Sequence, residues 1–149
     1  GNTERAARML ADITGGELFV IQQQIPYSDR YQTCIEEAKR DLQNHARPTL
    51  IALPEPGKAF TDVYLGYPNY WGTMPMAVYS FLEQMPLNGV TIHPFCTHEG
   101  SGLSNTEADI RAAVPGATVT AGLAIQGSRV DSARPQLEKW VRETGGGSQ

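Results

Sequence analysis

The strongest constraint on the fold is that helical and extended hydrophobic periods alternate along the whole chain. Apolar residues recur at helical spacing in five segments, and short runs rich in β-branched and aromatic residues separate these segments. Such a series forms a parallel sheet, because parallel neighbours need a crossover connection and a helix usually supplies it. The sequence therefore predicts an α/β protein whose parallel sheet is covered by helices on both faces.

The predicted strands are short, and helical segments lie before, between and after them. The strands cover residues 17–21, 61–66, 89–95 and 117–121, and the helices centre on residues 6–13, 28–45, 78–85, 107–114 and 135–141. The order thus begins with a helix. A βαβ series normally begins with a strand, so we expect one strand of the series to be missing ahead of Gly1.

The length and charge of the chain limit its class. At 149 residues it is expected to form a single domain over residues 1–149, since a chain of this size buries about two thirds of its unfolded surface. The net charge of -4 provides no basic stripe for a phosphate backbone, so no nucleic-acid partner is expected. No apolar run reaches the ~18 residues of a membrane span, and residues 1–20 lack a signal-peptide pattern. We therefore expect a cytoplasmic protein without a membrane partner.

The two cysteines do not indicate a metal site. Cys34 and Cys96 lie far apart in sequence, with neither C-x-x-C spacing nor paired histidines nearby. Free cysteine is one of the most frequently buried residue types, so we interpret both as reduced, partly buried thiols.

Three segments are expected to meet at one edge of the sheet. In an open α/β sheet the ligand crevice lies beyond the carboxyl ends of the strands. There the sequence places Gly-Asn-Thr at residues 1–3, Tyr-Pro-Asn-Tyr-Trp-Gly at 67–72 and Cys-Thr-His-Glu-Gly-Ser-Gly at 96–102. Their convergence would form a candidate binding site.

Each segment has two readings. Asn2 and Thr3 either cap a helix or present free backbone N–H groups and a hydroxyl to an anion. Tyr70 and Trp71 either pack against the sheet or offer a ring on which a planar ligand stacks, and two adjacent loop side chains rarely both point inward. Gly72 would let the backbone approach a ligand closely.

The third segment combines polar side chains with permissive glycines. Gly100 and Gly102 permit positive φ. His98 beside Glu99 is either a solvated pair or an acid/base pair, whereas His93, inside a strand, is expected to be structural. A G-x-S-x-G nucleophile elbow is absent because Glu99 stands in the place of its first glycine, so an α/β-hydrolase esterase is not supported.

Two of these loops resemble those of one subgroup of the flavodoxin-like family. Residues 67–75, YPNYWGTMP, are similar to the subgroup's YPNWWGTMP-type loop, and residues 96–102 match its CTHEGSG-type loop. GLAIQGSRV at 122–130 is also similar, and the resemblance covers nearly the whole chain. It implies a three-layer α/β sandwich, with a five-stranded parallel sheet in the order 2-1-3-4-5 and FMN held non-covalently at its carboxyl edge.

The resemblance also implies which residues would contact FMN. The phosphate loop would include Gly1, Asn2 and Thr3. One side of the isoalloxazine would be lined by Pro68, Asn69, Tyr70, Trp71 and Gly72. The other side would be lined by Thr97, His98, Glu99, Gly100 and Gly102.

The sequence departs from the family pattern at its start. The family's first strand and the leading half of its phosphate loop, usually strand-(S/T)-x-T-G-N-T, do not precede Gly1 and do not reappear after residue 144. That strand is central in the family, so its absence would leave two strand edges unpaired. A truncated chain, direct pairing of the flanking strands and exchange of elements between subunits are open explanations. Each lost charge-assisted hydrogen bond, worth about 1.5–3 kcal/mol, would weaken FMN binding.

Two functions from different classes follow. The first is an FMN-binding electron-transfer protein or small flavin oxidoreductase, whose partner is a redox protein or a small-molecule electron acceptor. For this first function, no residue is assigned a role in catalytic proton transfer. The alternative is a non-catalytic interaction module that binds FMN weakly or not at all and forms homo-oligomers through its open sheet.

Overall fold

In the computed structural model, which describes residues 1–55 and 60–145, α-helices flank a parallel sheet. The first half of this chain contains α1 (Asn2–Thr14), α2 (Tyr31–Gln43), β1 (Asp62–Pro68) and α3 (Met76–Gln84). The second half contains β2 (Thr91–His98), α4 (Thr106–Ala113), β3 (Thr118–Val119), β4 (Leu123–Gln126), a 3-10 helix (Gly127–Ser132) and α5 (Arg134–Glu143). Across the described ranges, none of the helices combines the length and apolar character that a bilayer crossing requires.

Strand β2 is the centre of the sheet. It pairs in parallel with β1 along one edge, with Asp62 opposite Thr91 and Pro68 opposite Thr97. Along its other edge it pairs in parallel first with β3 and then with β4. The amide of Thr120 still donates to Ile92 O at 2.9 Å, so β3 and β4 are two parts of one interrupted strand. The α/β fold with a parallel sheet is therefore confirmed.

Hydrophobic cores lie on both faces of the sheet, as expected for parallel strands that are covered twice. Side chains alternate between the faces along each strand. One core joins the sheet to α3 and α4 and contains Leu65, Tyr67, Phe81, Ile92, Cys96 and Ile110. The other joins it to α1 and α5 and contains Ala6, Leu10, Phe95, Ile125, Leu137 and Trp140.

The free edge of β1 is the most consequential feature of the sheet. Thr61 O accepts from the Thr91 amide, and the Asn69 amide donates to Thr97 O, so odd-numbered residues make the bonds to β2. The backbone groups of Tyr64 and Gly66 consequently point to the opposite edge. Within the described chain β1 pairs with no strand other than β2, and that second edge lines a large cavity.

The prediction of a strand at 17–21 is wrong. These residues are not part of any strand, and Leu18, Phe19 and Val20 are 37–40% exposed. A strand requires a paired neighbour, and the described chain provides none beside this segment. Pairing begins only beyond it, where residues 22–24 bond to residues 49–51.

The last strand also differs from its prediction. Residues 117–121 were expected to form it and 122–130 to form a connection, whereas the strand pauses after Val119 and resumes at Leu123. Gly122 lies at the pause, where its amide donates to Glu107 Oε2 at 2.7 Å.

The sheet closes tightly over one glycine. A Cβ atom on Gly66 would lie 2.2 Å from Phe95 Cζ, a distance that real Cβ atoms do not show. The ring of Phe95 therefore lies directly on the β1 backbone. This contact fixes β1 against β2 and the α1–α5 face of the sheet.

His93 lies inside the sheet, as expected of a structural residue. It is 1% exposed, and its Nδ1 and Nε2 lie 3.0 Å from Thr120 Oγ1 and 2.7 Å from Asp62 Oδ1. The hydrogen bond from His93 holds the pKa of the Asp62 carboxyl below its ordinary value of 3.8. Since the folded pKa is depressed, this contact stabilises the fold above about pH 4 and is lost as the pH falls through the folded pKa.

Replacing Asp62 with asparagine should therefore reduce stability mainly at neutral pH. We expect a loss of at most about 1 kcal/mol, because the Asp62 side chain is 41% exposed and solvent screens it. The difference in free energy of unfolding between this variant and the unmodified protein should shrink as the pH falls from about 5 to about 3. Urea unfolding measures it. Asp29→Asn removes the same charge from an exposed position and serves as the control. An unchanged difference across this pH range would contradict the assignment.

Candidate functional site

The tip of α1 lies beside the carboxyl end of β2. Thr3 Oγ1 and Thr97 Oγ1 are 2.6 Å apart. Asn2 and Glu99 both flank Gly127, the residue that follows β4, because a Cβ there would lie 2.5 Å from Asn2 Nδ2 and 2.6 Å from Glu99 Oε1. The first turn of α1, with its unpaired backbone N–H groups, thus faces the same edge of the sheet as the third loop.

Asn69 joins the second loop to the third. Its Nδ2 donates to Gly102 O and to Ser104 Oγ, each at 2.9 Å. Its Oδ1 accepts from the Gly72 amide at 3.0 Å. The three segments predicted to meet at the carboxyl edge are therefore brought together there.

Residues 70–73 form a tight turn with unusual backbone angles. Tyr70 and Thr73 exchange backbone hydrogen bonds of 2.9 and 3.2 Å. Trp71 has φ 56° and Gly72 has φ 83°. Left-handed backbone at a bulky residue costs of order 1–3 kcal/mol and persists only where the surroundings impose it.

The surroundings of this turn are supplied by α2. The Trp71 indole N–H donates to Ile35 O at 2.9 Å, and Lys39 Nζ lies 5.0 Å from the centroid of the ring. Tyr70 is half-buried, and burial together with the adjacent Cys34 raises the pKa of its hydroxyl to about 12. Trp71 is 50% exposed, and both residues line the cavity.

The third loop uses its histidine internally. His98 Nδ1 accepts from the Gly100 amide at 2.9 Å, a contact that holds the loop rather than pairing His98 with Glu99. Gly100 and Gly102 have φ 131° and 66°, the positive values that these glycines were expected to permit. This geometry favours the reading of His98 and Glu99 as loop side chains over that of an acid/base pair.

A cavity of about 1640 Å³ runs from these loops along the free edge of β1. Its walls also include α1, α3 and residues 17–24. Most of the predicted site residues line it: Gly1, Asn2, Thr3, Pro68, Asn69, Tyr70, Trp71, Gly72, Thr97, His98 and Glu99. Gly100 and Gly102 do not line it, although Ser101 between them does.

Sequence reasoning missed several lining residues. Tyr31 and Ile35 belong to α2, Phe19 to the segment before it, and Gly127 to the start of the 3-10 helix that follows β4. Gly127 could have been found if 123–126 had been recognised as a strand, since the residue after a parallel strand lies at the ligand edge. Tyr31 and Ile35 carry no comparable signal, because α2 approaches the site only through tertiary packing.

The lining offers an aromatic wall to a planar group and backbone N–H groups to an anion, while its charged side chains are the acidic Glu4, Glu17, Asp62 and Glu99. Aromatic rings and glycine backbone form the wall at residues 70–72, while the α1 tip provides N–H groups and the Thr3 hydroxyl. Among the described residues, no cluster of three or more His, Cys, Asp or Glu side chains is placed to hold a metal ion. Burial raises the pKa of the Cys96 thiol to about 12, so this thiol stays protonated and packs as a core residue.

Removing the Asn69 side chain should loosen the site. Asn69→Ala deletes three hydrogen bonds, two that join the second loop to the third and one within the second loop, each worth about 0.5–1.5 kcal/mol. We expect a total loss of about 1–2 kcal/mol in chemical denaturation and faster proteolysis between residues 69 and 73, because the lost bonds leave partly exposed groups that water can satisfy. Asn69→Asp keeps the acceptor for the Gly72 amide and should retain part of the resistance to proteolysis. Equal proteolysis rates for Asn69→Ala and the unmodified protein would refute the bridging role.

Comparisons with known proteins agree with this architecture. A family model described as Flavodoxin matches residues 1–144. No match to a protein with a curated description is found.

Solved structures of similar fold span most of the chain. A candidate flavoprotein from Bacteroides eggerthii has a TM-score of 0.80 at 23% identity, and the alignment covers 97% of this chain and 91% of that one. A second candidate flavoprotein, from Bacteroides uniformis, has a TM-score of 0.82 at 24% identity, with 94% and 90% covered. A flavoprotein from Lactobacillus acidophilus, solved in complex with FMN, has a TM-score of 0.70 at 18% identity, with 87% and 89% covered. At these identities the likeness concerns the fold.

Proposed function

The chain belongs to the flavodoxin family, and from this premise we propose that it binds FMN at the carboxyl edge of its sheet and serves as an electron carrier or small oxidoreductase. The observation that carries the proposal is the meeting of the α1 tip, the aromatic turn at 70–72 and the Thr97–Gly102 loop around one cavity. The similar Lactobacillus acidophilus fold in complex with FMN supports the choice of cofactor.

The cavity is large enough to hold an FMN-sized ligand. Small-molecule pockets usually enclose about 300–1,000 Å³, and this cavity of about 1640 Å³ exceeds that range. Gly127 leaves a space open beside Asn2 and Glu99. Any larger residue at this position would clash with both side chains. Glu99 is exposed and can turn its carboxylate away from a phosphate placed at the α1 tip.

Different residues would bind the phosphate and the ring system of FMN. Asn2 and Thr3, at the N-terminus of α1, would hold the phosphate through backbone N–H groups and a hydroxyl. Tyr70 and Trp71 would bound one side of the ring system, and Thr97 and His98 the other. Bound FMN would supply the redox chemistry, accepting electrons from one partner and passing them to another, while the protein orients the ring and sets its surroundings.

Titration of FMN with the protein tests the proposal. Free FMN is fluorescent, and stacking against Tyr70 or Trp71 should quench it in a saturable manner. Riboflavin, which lacks the phosphate, should bind more weakly than FMN if the α1 tip contributes. Absence of quenching with the protein at high micromolar concentration would refute the proposal.

The free edge of β1 favours a second candidate, a non-catalytic interaction module. This edge and the apolar side chains at 18–20, each 37–40% exposed, would pair with a further copy of the chain. Light scattering separates the two candidates. The module would associate as its concentration rises and leave FMN fluorescence unchanged, whereas a monomer that quenches FMN would remove the module from consideration.

A further inference from the structure

Helix α2 holds the aromatic turn through two neighbouring turns of one helix face. Ile35 and Lys39 are four residues apart and therefore adjacent on that face. The Ile35 carbonyl accepts the Trp71 indole N–H at 2.9 Å, and the Lys39 ammonium lies 5.0 Å from the ring centroid. The Trp71 side chain is thus held both at the edge of its ring and over the face of its ring.

This attachment matters because the turn is not in a relaxed conformation. Trp71 has φ 56°, a value that non-glycine residues rarely adopt. The backbone on both sides of Trp71 is held by the two hydrogen bonds between Tyr70 and Thr73, and Asn69 Oδ1 also accepts from the Gly72 amide at 3.0 Å. The Trp71 side chain is 50% exposed, and core packing alone does not hold it. The contacts with α2 are therefore what fixes the indole itself.

We propose that Lys39 is a positioning residue of the flavin site, acting through the ring of Trp71. This inference rests on the proposed function. Lys39 holds the indole against α2, and the indole so placed forms part of the wall of the cavity. A cation over an aromatic face is favourable, and at a half-exposed ring it competes with other rotamers of the indole. Without the cation the indole samples the cavity mouth, and the wall is no longer prearranged for a planar ligand.

The chain offers a matched control for the charge. Arg40 is the next residue of α2 and is also exposed, but Lys39 is the cation that lies over Trp71. Lys39→Gln and Arg40→Gln remove the same charge from the same helix turn. A long-range effect of charge on a bound anion would appear in both variants, whereas a positioning effect appears only in Lys39→Gln. Lys39→Arg restores a cation able to stack on the ring and should rescue the phenotype.

The first measurement needs no flavin. The chain has two tryptophans, and Trp140 is 5% exposed, so acrylamide quenching of fluorescence reports mainly Trp71. The Trp71→Phe variant supplies the Trp140 baseline to be subtracted. We expect Lys39→Gln to raise the quenching constant of Trp71 about twofold, and Lys39→Arg and Arg40→Gln to leave it unchanged. No change in Lys39→Gln would overturn the proposal.

The second measurement is the FMN dissociation constant. We expect Lys39→Gln to weaken FMN binding about 3–10-fold, and Lys39→Arg and Arg40→Gln to stay within about twofold of the unmodified protein. In a Trp71→Leu background, Lys39→Gln should have no further effect, because the residue through which it acts is gone. Equal weakening by Lys39→Gln and Arg40→Gln, or an undiminished effect in Trp71→Leu, would overturn the positioning role. Absence of FMN binding by the unmodified protein refutes the proposed function instead, and the quenching result then decides whether Lys39 positions Trp71.

Discussion

Replacing Phe95 with alanine is expected to lower the free energy of unfolding by about 3–5 kcal/mol, the usual cost of deleting a buried phenyl group. Phe95 is 1% exposed and joins three parts of the fold. Its ring lies on the β1 backbone at Gly66, contacts Trp140 of α5 edge-on at 6.1 Å, and belongs to the core that includes α1. The cavity left behind cannot collapse easily, because the strands on either side are fixed by backbone hydrogen bonds. Urea or thermal unfolding monitored by circular dichroism measures the change.

Phe19→Ala is the matched control for this variant. Phe19 is 39% exposed, and its ring lies 6.3 Å from that of Phe81, so its removal should cost less than about 1 kcal/mol. Since a typical domain is stable by about 5–15 kcal/mol, Phe95→Ala should leave a marginal fold and Phe19→Ala a robust one. Comparable losses in the two variants would show that Phe95 is not central to the packing.

Replacing Thr3 with glutamate is expected to weaken FMN binding at least 100-fold, or by roughly 3 kcal/mol. Thr3 lies in the first turn of α1, beside Thr97. The substitution removes a hydroxyl from the proposed phosphate site and places a carboxylate there, which repels the phosphate at short range. A glutamate in the first helical turn does not itself destabilise α1, since the helix dipole favours negative charge at this end. Fluorescence titration with FMN measures the loss.

Riboflavin distinguishes this electrostatic effect from damage to the pocket. It carries no phosphate, so its affinity should change by less than about threefold in Thr3→Glu. Gln84→Glu adds the same charge at the end of α3, toward the amino edge of the sheet, and should leave FMN binding within about twofold. If Thr3→Glu weakened riboflavin as much as FMN, the α1 tip would not be the phosphate site.

The regular parts of the fold could be predicted from hydrophobic periodicity. The helices at α1, α2, α3, α4 and α5 and the strands β1 and β2 follow from apolar spacing, with boundaries shifted by a few residues. The segment 17–21 has the composition of a strand but lacks a neighbour to pair with, and composition cannot reveal pairing. The interruption at Gly122 likewise depends on Glu107, which lies fifteen residues earlier.

The loops of the site were predictable and their internal bonding was not. Loop position follows from the rule that ligand loops leave the carboxyl ends of parallel strands. Asn69 reaches Gly102 only because β1 and β2 pair in one particular register, with Pro68 opposite Thr97. The contact of Lys39 with Trp71 requires knowledge of how α2 packs, which no local pattern contains. Contacts between residues far apart in the sequence therefore could not be predicted from the sequence.

The free edge of β1 divides the amide hydrogens of one strand into two classes. Those of Val63, Leu65 and Tyr67 point toward β2 and are sheltered, whereas those of Tyr64 and Gly66 point into the cavity. Exchange with deuterated solvent should thus alternate between slow and fast from one residue to the next. An extended segment bound along this edge would slow exchange of the Tyr64 and Gly66 amides and remove the alternation. The exchange pattern of β1 therefore reports whether its outer edge is occupied.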